Sequence, residues 1–178
     1  MALPFPAEKY GGRYRLEVGS SLQRARLVKF MQRAYRELGH QTDAQSNRQH
    51  VGTHLADTVQ RHLSPQSQLW WLIDNEAAAQ SVGLPGLHSL EPVGCLWLGE
   101  AIDQRSGNKQ AYVFLLYVAP AHRHKGLGST LMHQAQRWAK QQGYAQISLQ
   151  VFEDNQAAMN LYAKLGYQSQ AKWMSLDL

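Results

Sequence analysis

The chain has 178 residues, a formal net charge of +5 and 44% hydrophobic residues, which is an ordinary composition for one packed globular core. A single cysteine, Cys95, excludes an intrachain disulfide and suits a reducing compartment, so we predict a cytoplasmic protein. The longest nearly uncharged apolar run, 111–121, is too short to span a bilayer, and no membrane partner is expected. The modest positive charge favours acidic ligands, but it is too weak to predict nucleic-acid binding.

The first half of the chain predicts strands and two amphipathic helices. The segment RYRLEV alternates apolar and polar residues, as strands do, whereas the next segment has helical spacing with Ser20 or Ser21 as cap and Gly39 as its end. A turn-rich segment at 81–92 predicts a loop. The predicted elements are a strand at 13–18, a helix at 20–38, a shorter helix at 53–63 and a strand at 68–74.

The second half predicts a hairpin followed by alternating strands and helices. Gly143 and Gly166 are expected to end the two helices. The first of these helices has an apolar face made of Leu127, Leu131, Ala135, Trp138 and Ala139. The predicted elements are strands at 93–103 and 110–120, a helix at 129–142, a strand at 145–152, a helix at 155–166 and a strand-like end at 167–178.

This order of elements predicts a single domain, 1–178, with an α/β (α+β) fold. Antiparallel hairpins followed by a strand-helix-strand crossover give a mixed, mostly antiparallel central sheet flanked by about four helices. The two strands that the crossover joins should be parallel, and the crossover should be right-handed.

A basic, Gly-rich turn, HRHKGLGSTL, joins the strand at 110–120 to the following helix. The free N–H groups of a first helical turn, together with the positive end of the helix dipole, bind anions. Gly126 and Gly128 allow an oxyanion to approach the backbone closely, and Arg123 and Lys125 add charge. The turn lacks the Lys-Ser/Thr pair of a P-loop and the third glycine of a dinucleotide motif, so neither class is predicted.

Two motifs at a defined separation carry a resemblance to a known family. The first is RHKGLG at 123–128, and the second is NQAAMNLYAKLGY at 155–167. Together they resemble the acetyl-CoA-binding motifs of the Gcn5-related N-acetyltransferase (GNAT) family. The second motif departs from the family pattern in its middle, where Met159 and Asn160 precede Leu161. The resemblance implies an acyl-CoA N-acyltransferase fold with its coenzyme-binding motifs at about 112–167.

The resemblance also implies where the coenzyme binds. The strands Tyr112–Val118 and Gln146–Phe152 should splay apart, with the pantetheine arm in the gap and the diphosphate on the Gly-rich turn. Asn155 should bond the coenzyme, cap its helix, or do both. Acetyl-CoA is the expected cosubstrate, and no metal is expected. The implied coenzyme-binding residues are Leu116, Tyr117, Val118, Arg123, His124, Lys125, Gly126, Leu127, Gly128, Ser129 and Asn155.

One catalytic residue, Tyr162, is implied by the second motif. In the family its hydroxyl often protonates the departing sulfur, and the alternative is an amphipathic core tyrosine on a short helix. The general base is where the sequence departs from the family pattern, which places a glutamate on the fourth or fifth strand. Here the fourth strand has no carboxylate, and Gln150 occupies the corresponding place on the fifth strand. Glutamine cannot accept a proton. The open substitutes are Glu100, Asp103, Glu153 and a water chain to bulk solvent.

The combined prediction is an enzyme that moves an acetyl group from acetyl-CoA to a primary amine by direct attack in a ternary complex. The acceptor is open between a small amine, an amino sugar, a protein N-terminus and a lysine. A non-catalytic acyl-CoA-binding sensor or complex subunit is the alternative. The missing base favours that alternative slightly, whereas Tyr162 argues against it. A homodimer is compatible with the sequence.

Overall fold

The structure is a computed structural model that describes residues 6–38, 48–80, 91–172 and 174–176. The predicted helix end at Gly39 and most of the predicted loop at 81–92 lie outside these residues. Short 3-10 turns occupy Ala7–Tyr10, Ser21–Gln23 and Pro120–His122. The longer elements are β1 (Tyr14–Val18), α1 (Arg24–Leu38), α2 (Arg48–His62), β2 (Gln68–Asp74), α3 (Asn75–Gln80), β3 (Gly94–Ile102), β4 (Lys109–Val118), α4 (Leu127–Gln141), β5 (Ile147–Leu149) and α5 (Gln156–Lys164).

The five strands form one mixed sheet in the order β1-β2-β3-β4-β5. The first four strands pair antiparallel, and β5 pairs parallel to β4. The predicted mixed, mostly antiparallel sheet is therefore confirmed. The parallel pairing runs only from Ala111↔Ile147 to Val113↔Leu149, although β4 continues to Val118. In the described part of the chain, 114–118 has no strand beside it on this edge, which is the predicted divergence.

A β-bulge lies where the parallel pairing stops. Trp97 is opposite Leu115 and Leu98 is opposite Val113, so Phe114 is the extra residue on β4. A bulge bends a strand and increases its twist, which helps β4 to turn away from β5. The ring of Phe114 stacks on Trp97 with ring centroids 4.5 Å apart.

Alternate strand residues point to opposite faces of the sheet and build two apolar clusters. On one face, Leu72 and Leu98 pack with α4 in a cluster that we call the α4 cluster. The helix α5 borders the α4 cluster through Tyr162 and Leu165. The opposite face buries tryptophans of β2 and β3 under α1 and α2. The predicted apolar face of α4 is confirmed, since all five of its residues are buried.

The structure differs from the sequence predictions at four elements. A short helix, α3, was not predicted; Asp74 caps it, because its Oδ1 accepts the N–H of Glu76 at 3.0 Å. The helix α2 begins at Arg48 rather than Thr53, and β5 has three residues rather than eight. The predicted C-terminal strand is wrong, because the described residues at 167–172 and 174–176 form no strand. Residues 168–172 are all exposed, and only Ala171 among them is apolar, so this stretch lacks an apolar face that pairing could bury.

None of the helices in the described ranges is long and apolar enough to cross a membrane.

Candidate active site

The Gly-rich turn at 123–126 lies between the end of β4 and the start of α4. Gly126 is the N-cap of α4 with φ +77° and ψ 5°, and His124 is also left-handed, with φ +61°. A left-handed residue next to a helical one turns successive N–H groups towards the same side, which creates an anion-binding concavity. The first-turn N–H groups of Leu127, Gly128 and Ser129 have no partner inside the helix. The turn thus has the geometry of an anion site.

Glycine is favoured at positions 126 and 128 for different reasons. The left-handed backbone of Gly126 favours glycine, although a Cβ there would find space, since its nearest neighbours are Lys9 Nζ and Tyr10 Oη at 3.7 Å. Gly128 has ordinary helical geometry, but a Cβ there would lie 3.2 Å from Leu161 Cδ2 on α5. Gly128 therefore lets the turn and α5 approach each other.

The side chain of Arg123 extends away from the turn. Its Nε donates to the carbonyl of Val118 at 2.8 Å, its Nη2 pairs with the carboxylate of Glu37, and its guanidinium lies over the ring of Tyr117. The sequence-based expectation was that Arg123 adds positive charge to the turn. In the structure that charge is neutralised by a carboxylate on the opposite face of the sheet.

Glu37 is a candidate site residue that the sequence analysis missed. It lies near the C-terminus of α1, and its Oε1 also accepts the hydroxyl of Tyr117 at 2.8 Å. Burial and this hydrogen bond raise the pKa of Tyr117 to about 12, so the phenol stays protonated. Its partners, Tyr117 and Arg123, are 80 and 86 residues away along the chain. Within the amphipathic pattern of α1, nothing in the local sequence sets Glu37 apart from other polar residues.

A buried polar cluster supports the start of the turn from β1 and β2. Asp74 is 3% exposed, and its Oδ2 accepts both Nε and Nη2 of Arg13, at 3.2 and 2.8 Å. Tyr14 and His122 are joined by a 3.0 Å hydrogen bond between Oη and Nδ1. Burial lowers the pKa of His122, which favours the neutral imidazole. The cluster fixes His122 directly before Arg123.

The strand residues expected to contact the coenzyme lie along the free edge of β4. Leu116 and Val118 are half-buried and border the α4 cluster, whereas Tyr117 is buried on the opposite face under α1. Because 114–118 has no strand neighbour on the β5 side within the described ranges, its backbone groups on that side are accessible to a ligand, except the carbonyl of Val118, which accepts Arg123 Nε. The gap between β4 and β5 closes at Val113, where the two strands pair, and opens towards the Gly-rich turn.

The short helix α5 places Tyr162 beside this gap. Asn155 is its N-cap, because Oδ1 accepts the N–H of Ala158 at 3.1 Å, and the predicted cap is confirmed. Within the described ranges, the side-chain amide nitrogen of Asn155 has no hydrogen-bond partner. Tyr162 packs against the α4 cluster, as do Leu116 and Val118, and burial raises its pKa to about 12. Its role in catalysis stays a prediction.

The carboxylates considered as general bases lie in different places. Glu100 is paired with Lys109 at 2.8 Å and bonded to Tyr144, and the bond from Lys109 lowers its pKa. Asp103 belongs to the β3–β4 turn, where the Ser106 hydroxyl lowers its pKa. Both lie at the end of β4 remote from Val118, which makes them poor candidates, because a base should have a pKa near the working pH.

Solved structures share this fold. A putative acetyl transferase from Pyrococcus furiosus has a TM-score of 0.68 at 20% identity, covering 93% of this chain and 99% of that one. A predicted acetyltransferase from Clostridium acetobutylicum, solved with acetyl-CoA, has a TM-score of 0.67 at 13% identity, covering 92% and 96%. The fold is that of acyl-CoA N-acyltransferases.

The sequence comparisons define the family. The family model described as "Acetyltransferase (GNAT) family" matches residues 57–167, more than half of the chain, and the chain belongs to that family. It is 29% identical over 116 residues to N-acetyltransferase 8 of Rattus norvegicus, a match that covers 65% of this chain and 46% of that protein. The chain spans about half the length of the curated relatives it matches.

Proposed function

We propose that the chain is an acetyl-CoA-dependent N-acetyltransferase that binds its coenzyme between the diverging ends of β4 and β5. The observation that carries this proposal is the Gly-rich turn, in which left-handed Gly126 begins α4 directly beyond the free edge of β4. The diphosphate would bind the N–H groups of 124–129, and the pantetheine amides would pair with the backbone of 116–118. Family membership and an acetyl-CoA-bound structural relative support this placement.

In the proposed reaction, the neutral amine attacks the thioester carbonyl carbon within a ternary complex. The C–N bond forms and the C–S bond breaks, and the sulfur leaves while the Tyr162 hydroxyl donates to it. The proton lost by the amine leaves to water, directly or through Glu153, which is exposed beyond β5. Because the reactants are held side by side, alignment supplies a large part of the rate.

The coenzyme is expected to stabilise the protein against unfolding. At a concentration one hundred times Kd, binding to the folded state alone contributes about 2.7 kcal/mol, which raises Tm measurably. Thermal melts with and without coenzyme A measure this. If millimolar coenzyme A left Tm unchanged, the proposed function would be wrong.

Release of free thiol from acetyl-CoA, screened across polyamines, aminoglycosides, amino acids and short peptides, then identifies the acceptor. A Tm increase without thiol release would favour the sensor instead.

Gly126→Ala is expected to weaken coenzyme A binding at least tenfold, about 1.4 kcal/mol. The reason is that a Cβ on the N-cap residue obstructs the approach of the diphosphate to the turn. Gly143→Ala is the matched control. Gly143 also has a left-handed backbone, with φ +82°, at the other end of α4, and a Cβ there meets nothing within 4 Å.

Both variants should lose a similar amount of folding stability, about 1 kcal/mol, because alanine is strained in the left-handed region. The difference in Kd for coenzyme A between the two variants, measured by calorimetry, therefore reflects the change in ligand binding and not the loss of folding stability. Normal binding by Gly126→Ala together with weak binding by Gly143→Ala would place the site elsewhere.

A further inference from the structure

Four aromatic side chains meet where β4 and β5 diverge. Tyr112 and Phe114 lie on β4, Tyr35 lies on α1, and Phe152 lies three residues beyond β5; we call these four the aromatic patch. The ring centroids of Tyr112 and Phe114 are 4.9 Å apart, and those of Tyr35 and Phe152 are 6.3 Å apart, both in edge-on pairs. The patch thus combines residues from both sides of the gap and from the helix above it.

The aromatic patch lies on the face of the sheet opposite α4. Phe114 packs against the buried cluster under α1 and α2. Burial and the neighbouring Tyr35 phenol raise the pKa of Tyr112, so the two phenols lie close together. Because Tyr35 belongs to α1, its contacts with Tyr112 and Phe152 place these rings on the α1 face as well.

The position of Phe114 is fixed by its neighbours on β3. Its ring stacks on Trp97, and a Cβ on Gly99 would lie only 2.7 Å from Phe114 Cε2. Gly99 is opposite Tyr112 in the sheet, so the absence of a side chain at this point leaves the space that the ring occupies. The centre of the patch is therefore held in place before any ligand binds.

The aromatic patch is accessible from solvent. Tyr35 is 36% exposed and Phe152 is 53% exposed, whereas Tyr112 and Phe114 are half-buried. In the described part of the chain, the hydroxyls of Tyr35 and Tyr112 have no hydrogen-bond partner. Exposed aromatic surface with a few open polar groups at its border is typical of a ligand site.

The aromatic patch also lies where an acceptor would have to approach. In the proposed function, the coenzyme fills the gap, its diphosphate lies at the start of α4, and α4 and α5 cover that face of the sheet. The amine must reach the thioester carbonyl carbon from a side that the coenzyme leaves open, which is the α1 face. Phe114 directly follows Val113, the last residue of β4 that pairs with β5, so the patch begins where the gap opens.

The chemistry of the aromatic patch is apolar rather than acidic. Among the residues that the structure describes, no carboxylate is hydrogen-bonded to its two tyrosines. Glu37, on the same helix as Tyr35, is already paired with Arg123, and Glu153 is exposed to solvent. Polyamines and aminoglycosides carry several ammonium groups, which carboxylates bind through charge-assisted hydrogen bonds. The patch suits an apolar group better than a polycation.

We propose that the aromatic patch binds the acceptor, and that this acceptor is a primary amine carrying an aromatic or large apolar group. The inference rests on the proposed function and names the substrate class for the same site. Apolar area removed from water favours such an acceptor in rough proportion to that area, and aromatic rings add edge-on contacts. A small aralkyl amine and the N-terminus of a peptide that begins with an aromatic residue share this chemistry.

The test measures thiol release from acetyl-CoA with two matched pairs of acceptors. The first pair is 2-phenylethylamine and ethylamine, and the second is the peptides Phe-Gly-Gly and Gly-Gly-Gly. In at least one pair, kcat/KM should be about ten- to a hundredfold higher for the aromatic member, because its ring is buried against the patch. The pair with the higher kcat/KM distinguishes a small amine from a peptide N-terminus. Spermidine is included as a polycation.

The double variant Tyr35→Ala/Phe152→Ala removes the two exposed rings of the aromatic patch. The preference for the aromatic acceptor should fall below about threefold. Thermal melts and Kd for coenzyme A verify that folding and coenzyme binding are retained. Val18→Ala/Leu22→Ala is the matched control, since both side chains are exposed and apolar but lie at the β1 edge of the sheet, remote from β5. It should keep the full preference.

Equal kcat/KM within both pairs would overturn the inference and leave the proposed function standing. So would faster acetylation of spermidine than of either aromatic acceptor, or an undiminished preference in the Tyr35→Ala/Phe152→Ala variant. If coenzyme A raised Tm but no amine released thiol, the proposed function and this inference would both be overturned.

Discussion

Tyr162→Phe is expected to lower kcat about ten- to a few hundredfold, equivalent to about 1.4 to 3.5 kcal/mol, and to change KM for acetyl-CoA little. The substitution keeps the ring and most of its packing, and it removes only the hydroxyl that would donate to the departing sulfur. General-acid assistance is typically worth about 10² to 10⁴ in rate. A smaller effect is expected here, because a thiol has a pKa of about 8.5 and its thiolate is already a tolerable leaving group.

The environment of Tyr162 sets the lower end of that range. Burial raises its pKa to about 12, so full transfer of its proton to a thiolate is unfavourable. The hydroxyl would therefore act mainly by donating a hydrogen bond to the charge that develops on sulfur. Because the raised pKa keeps the phenol protonated, kcat of the wild-type enzyme should show no fall from Tyr162 ionisation up to about pH 11.

Tyr167→Phe is the matched control for this prediction. Its ring centroid lies 5.7 Å from that of Tyr162, and it also borders the α4 cluster. Removing its hydroxyl should leave kcat within about twofold of wild type, as expected for a neighbouring hydroxyl that takes no part in the reaction. Steady-state kinetics with the identified acceptor measure kcat and KM for both variants. A wild-type rate in Tyr162→Phe would make Tyr162 structural, and a weakened Kd for coenzyme A would assign it to binding.

Asp74→Ala is expected to lower the free energy of unfolding by about 3 kcal/mol. Removing one partner of a buried ion pair typically costs about 3 to 5 kcal/mol. The lower end applies because the Arg13 side chain is 35% exposed and keeps a second partner, Glu76. The substitution also removes the acceptor that caps α3. For a chain of this size the loss corresponds to a fall in Tm of roughly 6 to 12 °C.

The stability difference between wild type and Asp74→Ala should depend on pH. Burial opposes the ionisation of Asp74, but hydrogen bonds from Arg13 and the Glu76 N–H outweigh it and lower its pKa. A carboxyl whose pKa is lowered by folding contributes fully above its ordinary value of 3.8 and loses that contribution as pH falls through the folded pKa. The difference should therefore be constant near neutral pH and narrow below about pH 3.8.

Urea unfolding from pH 2.5 to 7 measures this dependence. Asp57→Ala, a change at an exposed position on α2, is the control and should alter stability by less than about 0.5 kcal/mol at every pH. A pH-independent difference would show that Asp74 acts through packing rather than charge. An unfolding free energy equal to that of wild type would contradict the assigned role of the ion pair.

The sequence alone determined the features that depend on neighbouring residues. Helical spacing identified the buried face of α4, and the glycines at 126 and 128 marked a tight turn before that helix. The resemblance carried by the two motifs implied a divergent strand pair, and Asn155 was predicted to cap its helix, to bond the coenzyme, or to do both. The helical spacing, the turn glycines and the cap arise from backbone geometry or periodicity within one element, so they can be read without knowing what packs nearby.

Only the tertiary structure decided which side chains meet around the turn. It paired Arg123 with Glu37 across the sheet, joined Asp74 to Arg13 beside His122, and brought Lys9 to the outer face of α4. It also ended β5 after three residues and left the predicted last strand unpaired within the described ranges. Ion pairs between distant residues and strand pairing depend on which surfaces meet after folding, and no local pattern specifies that.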